Sequence, residues 1–76
     1  MLHEVGGTMS LAEQHLAEAD HQIAEAQVRI ARQVELIASL DFDSSQAVQA
    51  EQLLLTMQQA LFVVQERRRL ILAEIE

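Results

Sequence analysis

Residues 9–40 read MSLAEQH LAEADHQ IAEAQVR IARQVEL IASL, and this stretch decides the fold. Each block of seven opens on a large aliphatic residue or Met, and alanine stands second in four of the five blocks. An apolar residue at every seventh position keeps one face of an α-helix against a partner helix over many turns. The repeat therefore predicts a helix that packs against other helices, and it indicates no reaction.

The first predicted helix spans residues 10–40. Ser10 and Glu13 have the spacing of a capping box, which satisfies two backbone donors at a helix start. The seam towards the partner helix alternates large residues with small ones, which lets two helix axes approach closely. Its large aliphatic members are Leu16, Ile23, Ile30 and Ile37. We expect Val34 and the alanines at positions 17, 24, 31 and 38 to widen this seam.

Residues 41–43 form the predicted turn, because Asp and Ser compete for backbone hydrogen bonds and are poor residues for a helix interior. Asp43 is the predicted N-cap of the second helix, with Gln46 in the capping-box position. We expect Phe42, just outside that helix, to fold back over Ala47.

The second predicted helix spans residues 44–75. Its large seam residues are Leu54, Met57, Leu61, Val64 and Ile71. The seven-residue pattern shifts by three positions between the two helices, and one continuous rod would have to absorb that shift as local overwinding. We therefore predict an all-α fold, an antiparallel two-helix hairpin with coiled-coil-like arms.

Charges give an independent test of the hairpin. Folding back at the turn places Arg67, Arg68 and Arg69 level with residues 16–18, beside the acidic part of the first helix. The acidic partners expected there are Glu13, Glu18 and Asp20. A site for phosphate or acidic lipid is the alternative interpretation of the arginines, but the chain has no Lys and pairing within the hairpin is preferred.

The second helix carries a further apolar set outside its seam: Val48, Leu55, Phe62, Val63 and Leu70. Each such side chain left in water forgoes about 1.5–3 kcal/mol, and an exposed apolar area of this kind marks an interface. We expect two hairpins to pair into a homodimeric four-helix bundle through these residues. An unidentified protein partner that supplies the missing helices remains an alternative.

Composition excludes several classes of function. The 76 residues include no Cys, which rules out disulfides and thiolate metal sites, and the net charge of −7 argues against nucleic-acid binding. The most apolar stretch, residues 53–64, is too short to cross a bilayer. Residues 1–9 are expected to form a flexible N-terminal tail without a secretory signal, with Met9 a second candidate start, and the predicted location is cytoplasmic.

Candidates for chemistry are few, and we predict no catalytic, cofactor-binding or metal-binding residues. Glu18 and His21 have the spacing of the carboxylate–histidine pair of di-iron bundles, but that site needs a second pair and the second helix has no His. A solvated polar pair is the preferred interpretation. His15 flanks the seam and is expected to be an interface histidine, with a pH switch as the alternative.

Two features of the sequence recur together in one group of proteins. The first helix is rich in His and Ala and contains an Arg-x-x-x-Gln element at residues 29–33, and the second starts Leu-Leu-x-Thr and ends Arg–Leu-Ile-Leu–Glu. With these features, residues 15–76 resemble small uncharacterised bacterial helical-hairpin proteins. The turn of that group has a Gly before an Asp-Thr pair, whereas residues 41–44 here are Asp-Phe-Asp-Ser. The resemblance implies a helical hairpin and no known activity.

We therefore expect a non-enzymatic module for oligomerisation or protein interaction. One alternative is a regulatory adaptor or antitoxin-like protein that binds another helical protein. Another is a sensor that holds a small ligand or a metal ion in the bundle core. An enzyme ranks last, because the chain has no glycine-rich phosphate loop and no Ser-His-Asp set.

Overall fold

The computed structural model describes residues 9–75, so the predicted tail lies outside the described residues apart from Met9. Two helices, α1 (Leu11–Ala38, 28 residues) and α2 (Ser45–Ile75, 31 residues), pack against each other. The described part of the chain contains no strand. The prediction of an all-α hairpin is confirmed. The second helix ends at residue 75 as predicted, and the other three helix ends differ from the predicted ones by one or two residues.

The start of α1 is held by the predicted capping box. The hydroxyl oxygen of Ser10 accepts a hydrogen bond from the backbone N–H of Glu13 at 3.1 Å, and a carboxylate oxygen of Glu13 accepts one from the backbone N–H of Ser10 at 2.9 Å. These two bonds satisfy two of the donors that a helix start leaves without partners. The prediction at this end of the helix is confirmed.

Short-range hydrogen bonds end α1 at the turn. The backbone N–H of Ser39 donates to the carbonyl of Leu36 at 3.0 Å, and that of Leu40 donates to the carbonyl of Ile37 at 3.1 Å. The Ser39 hydroxyl donates to the Leu36 carbonyl as well, at 2.7 Å. Hydrogen bonds from the N–H of residue i+3 to the carbonyl of residue i tighten the last turn of a helix. They replace the bonds from residue i+4 that a continuing α-helix would have made.

The cap of α2 is Ser44, and the prediction of Asp43 with Gln46 in this role was wrong. The Ser44 hydroxyl oxygen accepts a hydrogen bond from the backbone N–H of Ala47 at 3.0 Å, and the hydroxyl donates to the carbonyl of Asp41 at 2.9 Å. The Ser44 side chain thus links the first turn of α2 to the connecting segment. A carboxylate at position 43 could not make both bonds, because an ionised carboxylate has no proton to donate.

Phe42 does not fold back over Ala47, contrary to the prediction. Its side chain lies at the tip of the hairpin with 88% of the residue exposed. Ala47 is buried without it, because the start of α2 already lies against α1.

The core is the seam between the helices, and small side chains dominate it. The buried apolar residues are Ala19, Ala47, Ala50 and Ile71. The other predicted large seam residues are only half-buried: Leu16, Ile23, Ile30, Ile37, Leu54, Met57, Leu61 and Val64. No large side chain among the described residues is completely enclosed. A single pair of helices can cover only one side of each seam residue, so this core remains open along both edges.

Candidate interaction surface

A buried amide crosses the seam near the turn. Gln33 is 8% exposed, and its Nε2 atom donates a hydrogen bond to the carbonyl oxygen of Ala50 at 2.8 Å. Three glutamines of α2, by contrast, are exposed: Gln58, Gln59 and Gln65. Gln33 therefore marks one fixed point of the register between α1 and α2.

Two ion pairs join the far ends of the helices. Nε of Arg68 donates to Oδ1 of Asp20, and Nη2 of Arg67 lies 3.8 Å from Oε1 of Glu18. All four side chains remain between 40% and 64% exposed. Exposed pairs contribute about 0–1 kcal/mol each, so they specify the register more than they stabilise the fold.

The remaining members of the charge set are occupied elsewhere. Arg69 pairs within its own helix with Oε1 of Glu66, at 2.9 Å from Nη2 and 3.2 Å from Nε. Glu13 belongs to the capping box of α1. The structure thus brings two of the three arginines to acidic residues of α1, and it leaves the Arg69 side chain 66% exposed.

One broad side of the hairpin, which we call the alanine face, combines small and large apolar residues. Its members are Ala17, Ala24, Ala31 and Ala38 of α1 and Val48, Leu55 and Phe62 of α2. All seven are exposed, so the prediction that the alanines widen the seam was wrong. The second position of each block lies 100° around the helix from the first, which carries it past the partner helix.

The opposite side of the hairpin carries an open groove of about 390 Å³ beside the turn. It is lined by Gln33, Leu36, Leu40, Gln46, Gln49, Ala50 and Leu53. Leu55 follows Leu53 by two positions and Ala31 precedes Leu36 by five, so each lies about 140–160° around its helix from a groove residue. The groove and the alanine face are therefore separate surfaces.

The predicted oligomer interface does not form one continuous patch. Val48, Leu55 and Phe62 share the alanine face, because they recur every seven residues along α2. Val63 and Leu70 lie about 100° further around α2, towards the groove side. All five are exposed, and one flat contact cannot cover both groups.

The histidine and carboxylate side chains do not converge. Nε2 of His21 lies 3.2 Å from Oε2 of Glu25, one turn along the same helix, while Glu18 lies beside Arg67. His15 is half-buried at the edge of the seam. Across residues 9–75, no group of three or more His, Cys, Asp or Glu is placed to hold a metal ion.

Neither described helix has a stretch that is both long and apolar enough to cross a lipid bilayer. In comparisons with known proteins, no protein-family model matches the chain, and no curated protein or solved structure matches it significantly. The surface of the hairpin itself is therefore the basis for a functional proposal.

Proposed function

We propose that this chain is a non-enzymatic self-association module and that two copies form a four-helix bundle. The observation that carries the proposal is the imbalance between the core and the surface. Among residues 9–75, four apolar residues are buried, three of them alanines, whereas thirteen large apolar residues are exposed. A stable domain buries most of its large aliphatic side chains, and a lone hairpin cannot do so.

The free energy at stake is large for a protein of this size. The five predicted interface residues of α2 are between 48% and 63% exposed. Covering the three that lie on the alanine face, Val48, Leu55 and Phe62, would contribute roughly 2–5 kcal/mol for each copy, at about 1.5–3 kcal/mol for each fully buried side chain. Small domains are stable by about 5–15 kcal/mol in total, so association on this scale decides whether the hairpin stays folded.

A second copy is the occupant that the alanine face fits best. A two-fold dimer uses the same patch on both partners, so that patch must complement itself. The alanine face offers a ridge of large residues on α2 and a row of small ones on α1, and the ridge of one copy fits the row of the other. Between the ridge and the row lie four exposed polar residues, Asp20, Gln27, Gln58 and Gln65. From Ala17 to Ala38 the face runs about 32 Å along α1, and two helices side by side are about 20 Å across. The resulting contact of roughly 640 Å² per partner lies at the low end of the range of specific interfaces, about 600–1,000 Å² per partner.

Sedimentation equilibrium over a range of concentrations tests the proposal. We expect the full chain to sediment as a dimer at micromolar concentration. Phe62→Glu, which places a charge on the alanine face, is expected to shift the equilibrium towards monomer by about tenfold or more. Gln49→Glu is the matched control, because Gln49 lines the groove on the opposite side of the same hairpin, away from that face, and receives the same charge.

Two outcomes would overturn the proposal. One is a wild-type chain that remains a folded monomer at high micromolar concentration. The other is an equal weakening of the dimer by Phe62→Glu and Gln49→Glu, which would mean that added charge rather than the alanine face controls association. A folded monomer would instead favour the alternative function, an adaptor whose exposed side is covered by another helical protein.

A further inference from the structure

We infer that the two hairpins of the bundle lie side by side with both turns at the same end, so that α2 of each copy packs on α1 of the other. This inference rests on the proposed function and adds the orientation of the partner. It follows from the register within the hairpin, from the order of large and small residues on the alanine face, and from one exposed arginine.

Three contacts set the register between α1 and α2. The Gln33–Ala50 hydrogen bond lies near the turn, and the pairs of Glu18 with Arg67 and of Asp20 with Arg68 lie near the open end. With this register, each large residue of the alanine face lies level with an alanine of the other helix: Val48 with Ala38, Leu55 with Ala31, and Phe62 with Ala24. The same register places Arg69 level with Ala17.

Two-fold symmetry allows two ways to bring two alanine faces together. A two-fold axis along the helices places α1 of one copy over α2 of the other, with both turns at the same end. A two-fold axis across the helices places α1 over α1 and α2 over α2, with the turns at opposite ends. In both arrangements every helix has only antiparallel neighbours, within its hairpin and across the contact. Helix direction therefore does not distinguish them, and packing and charge must do so.

Packing favours the arrangement with both turns at the same end. Phe62 then faces Ala24 of the partner copy, and Leu55 faces Ala31, so every large side chain meets a small one at the same level. The spacing between the two hairpins is therefore uniform. In the reversed arrangement the large residues of α2 meet those of the second α2, while the alanines of α1 face only alanines. Helices held apart by Phe and Leu on one edge leave voids between alanines on the other, and protein interiors do not tolerate such voids.

Charge favours the same arrangement. Arg69 stands seven residues after Phe62 on the alanine face, and its side chain is 66% exposed. With both turns at the same end, it lies over the Ala17 level of the partner copy, where Glu13 and Asp20 flank that alanine by four and three residues. In the reversed arrangement it lies over the Val48 level of the second α2, where a single acidic residue, Glu51, flanks Val48 by three positions. Complementary charges at a contact specify its orientation.

Distance measurement between spin labels at the two turns tests the orientation. Phe42 is the labelling site, because its side chain is 88% exposed and the chain contains no cysteine that would compete for the label. For Phe42→Cys we expect a label-to-label distance of roughly 20–30 Å, about the width of two helices with their labels. The reversed arrangement predicts about 45 Å or more, the length of α2.

A second labelled variant separates the orientation from the dimer itself. Gln59→Cys places the label near the middle of α2, where both arrangements give similar distances. A measurable distance at Gln59 with a distance of about 45 Å or more at Phe42 overturns the orientation and leaves the proposed dimer standing. The absence of any coupling at either site, with monomers in sedimentation, overturns the proposed function together with the orientation.

Discussion

Gln33 and Ala50 lie on different helices, 17 positions apart in the chain, and the side-chain amide of the first donates to the backbone carbonyl of the second at 2.8 Å. The carbonyl oxygen has two lone pairs, so it accepts this bond in addition to its place in the helix. A buried polar residue at a seam position specifies register, because any slip between the helices leaves its amide without a partner.

Substitution of Gln33 separates the hydrogen bond from the volume of the side chain. We expect Gln33→Ala to lower the free energy of unfolding by about 1–2 kcal/mol, because it removes both the bond and the packing of a buried side chain. Gln33→Met retains a similar volume and is expected to change the stability by less than about 0.5 kcal/mol. Urea denaturation at one fixed protein concentration measures both values. Equal losses for the two variants would show that the hydrogen bond itself carries the stability.

The capping role of Ser44 predicts a difference between neighbouring residues. Ser44→Ala removes the bonds to Ala47 and Asp41, and we expect a loss of about 1 kcal/mol. Asp43→Ala is the matched control and is expected to change the stability by less than about 0.5 kcal/mol, since its carboxylate does not cap the helix. Thermal unfolding followed by circular dichroism measures both. A larger loss of stability for Asp43→Ala would show that Asp43, and not Ser44, caps α2.

Arg68 and Arg67 are adjacent but differ in their surroundings. Arg68 is half-buried at a seam position and meets Asp20, whereas Arg67 is more exposed and only approaches Glu18 at 3.8 Å. We expect Arg68→Glu to reduce the stability by about 1–2 kcal/mol and Arg67→Glu to reduce it by less, because the first change places two like charges together beside the seam. Melting temperatures compared at low salt provide the measurement. Identical values for the two variants would contradict the register.

Stability that depends on association depends on concentration. The melting temperature of the wild-type chain is expected to rise by several degrees when the protein concentration is raised about a hundredfold, because mass action favours the folded dimer. Phe62→Glu is expected to show a lower melting temperature with less dependence on concentration. Differential scanning calorimetry measures both, with Gln49→Glu as the control. A melting temperature that does not change with concentration would show that the hairpin is stable alone.

Local features of this chain could be predicted because the residues that create them are close together in sequence. The Ser10–Glu13 capping box needs only a spacing of three, and the seven-residue period alone identifies the seam of α1. The shift in that period, with the Asp and Ser residues around Phe42, predicted a hairpin rather than a rod. These are patterns of backbone hydrogen bonding and of helix periodicity, which operate within one or two turns.

The exact start of α2 and the exposure of its neighbours were not predictable in the same way. Asp43 and Ser44 are both good N-caps by type. The choice between them follows from where α2 has to begin so that Ala47 and Ala50 meet α1. Phe42 is exposed for the same reason, since the seam is already closed beneath it.

The sequence by itself determined that the chain forms two helices with a break between them, because periodicity and capping act through neighbouring residues. Only the tertiary structure decided which sides of those helices remain uncovered. In four of the five seven-residue blocks an alanine directly follows a seam residue. These alanines nevertheless point away from α2, because a pair of helices buries only one narrow stripe of each. The alanine face and the groove on the opposite side thus exist only once α1 and α2 are placed against each other.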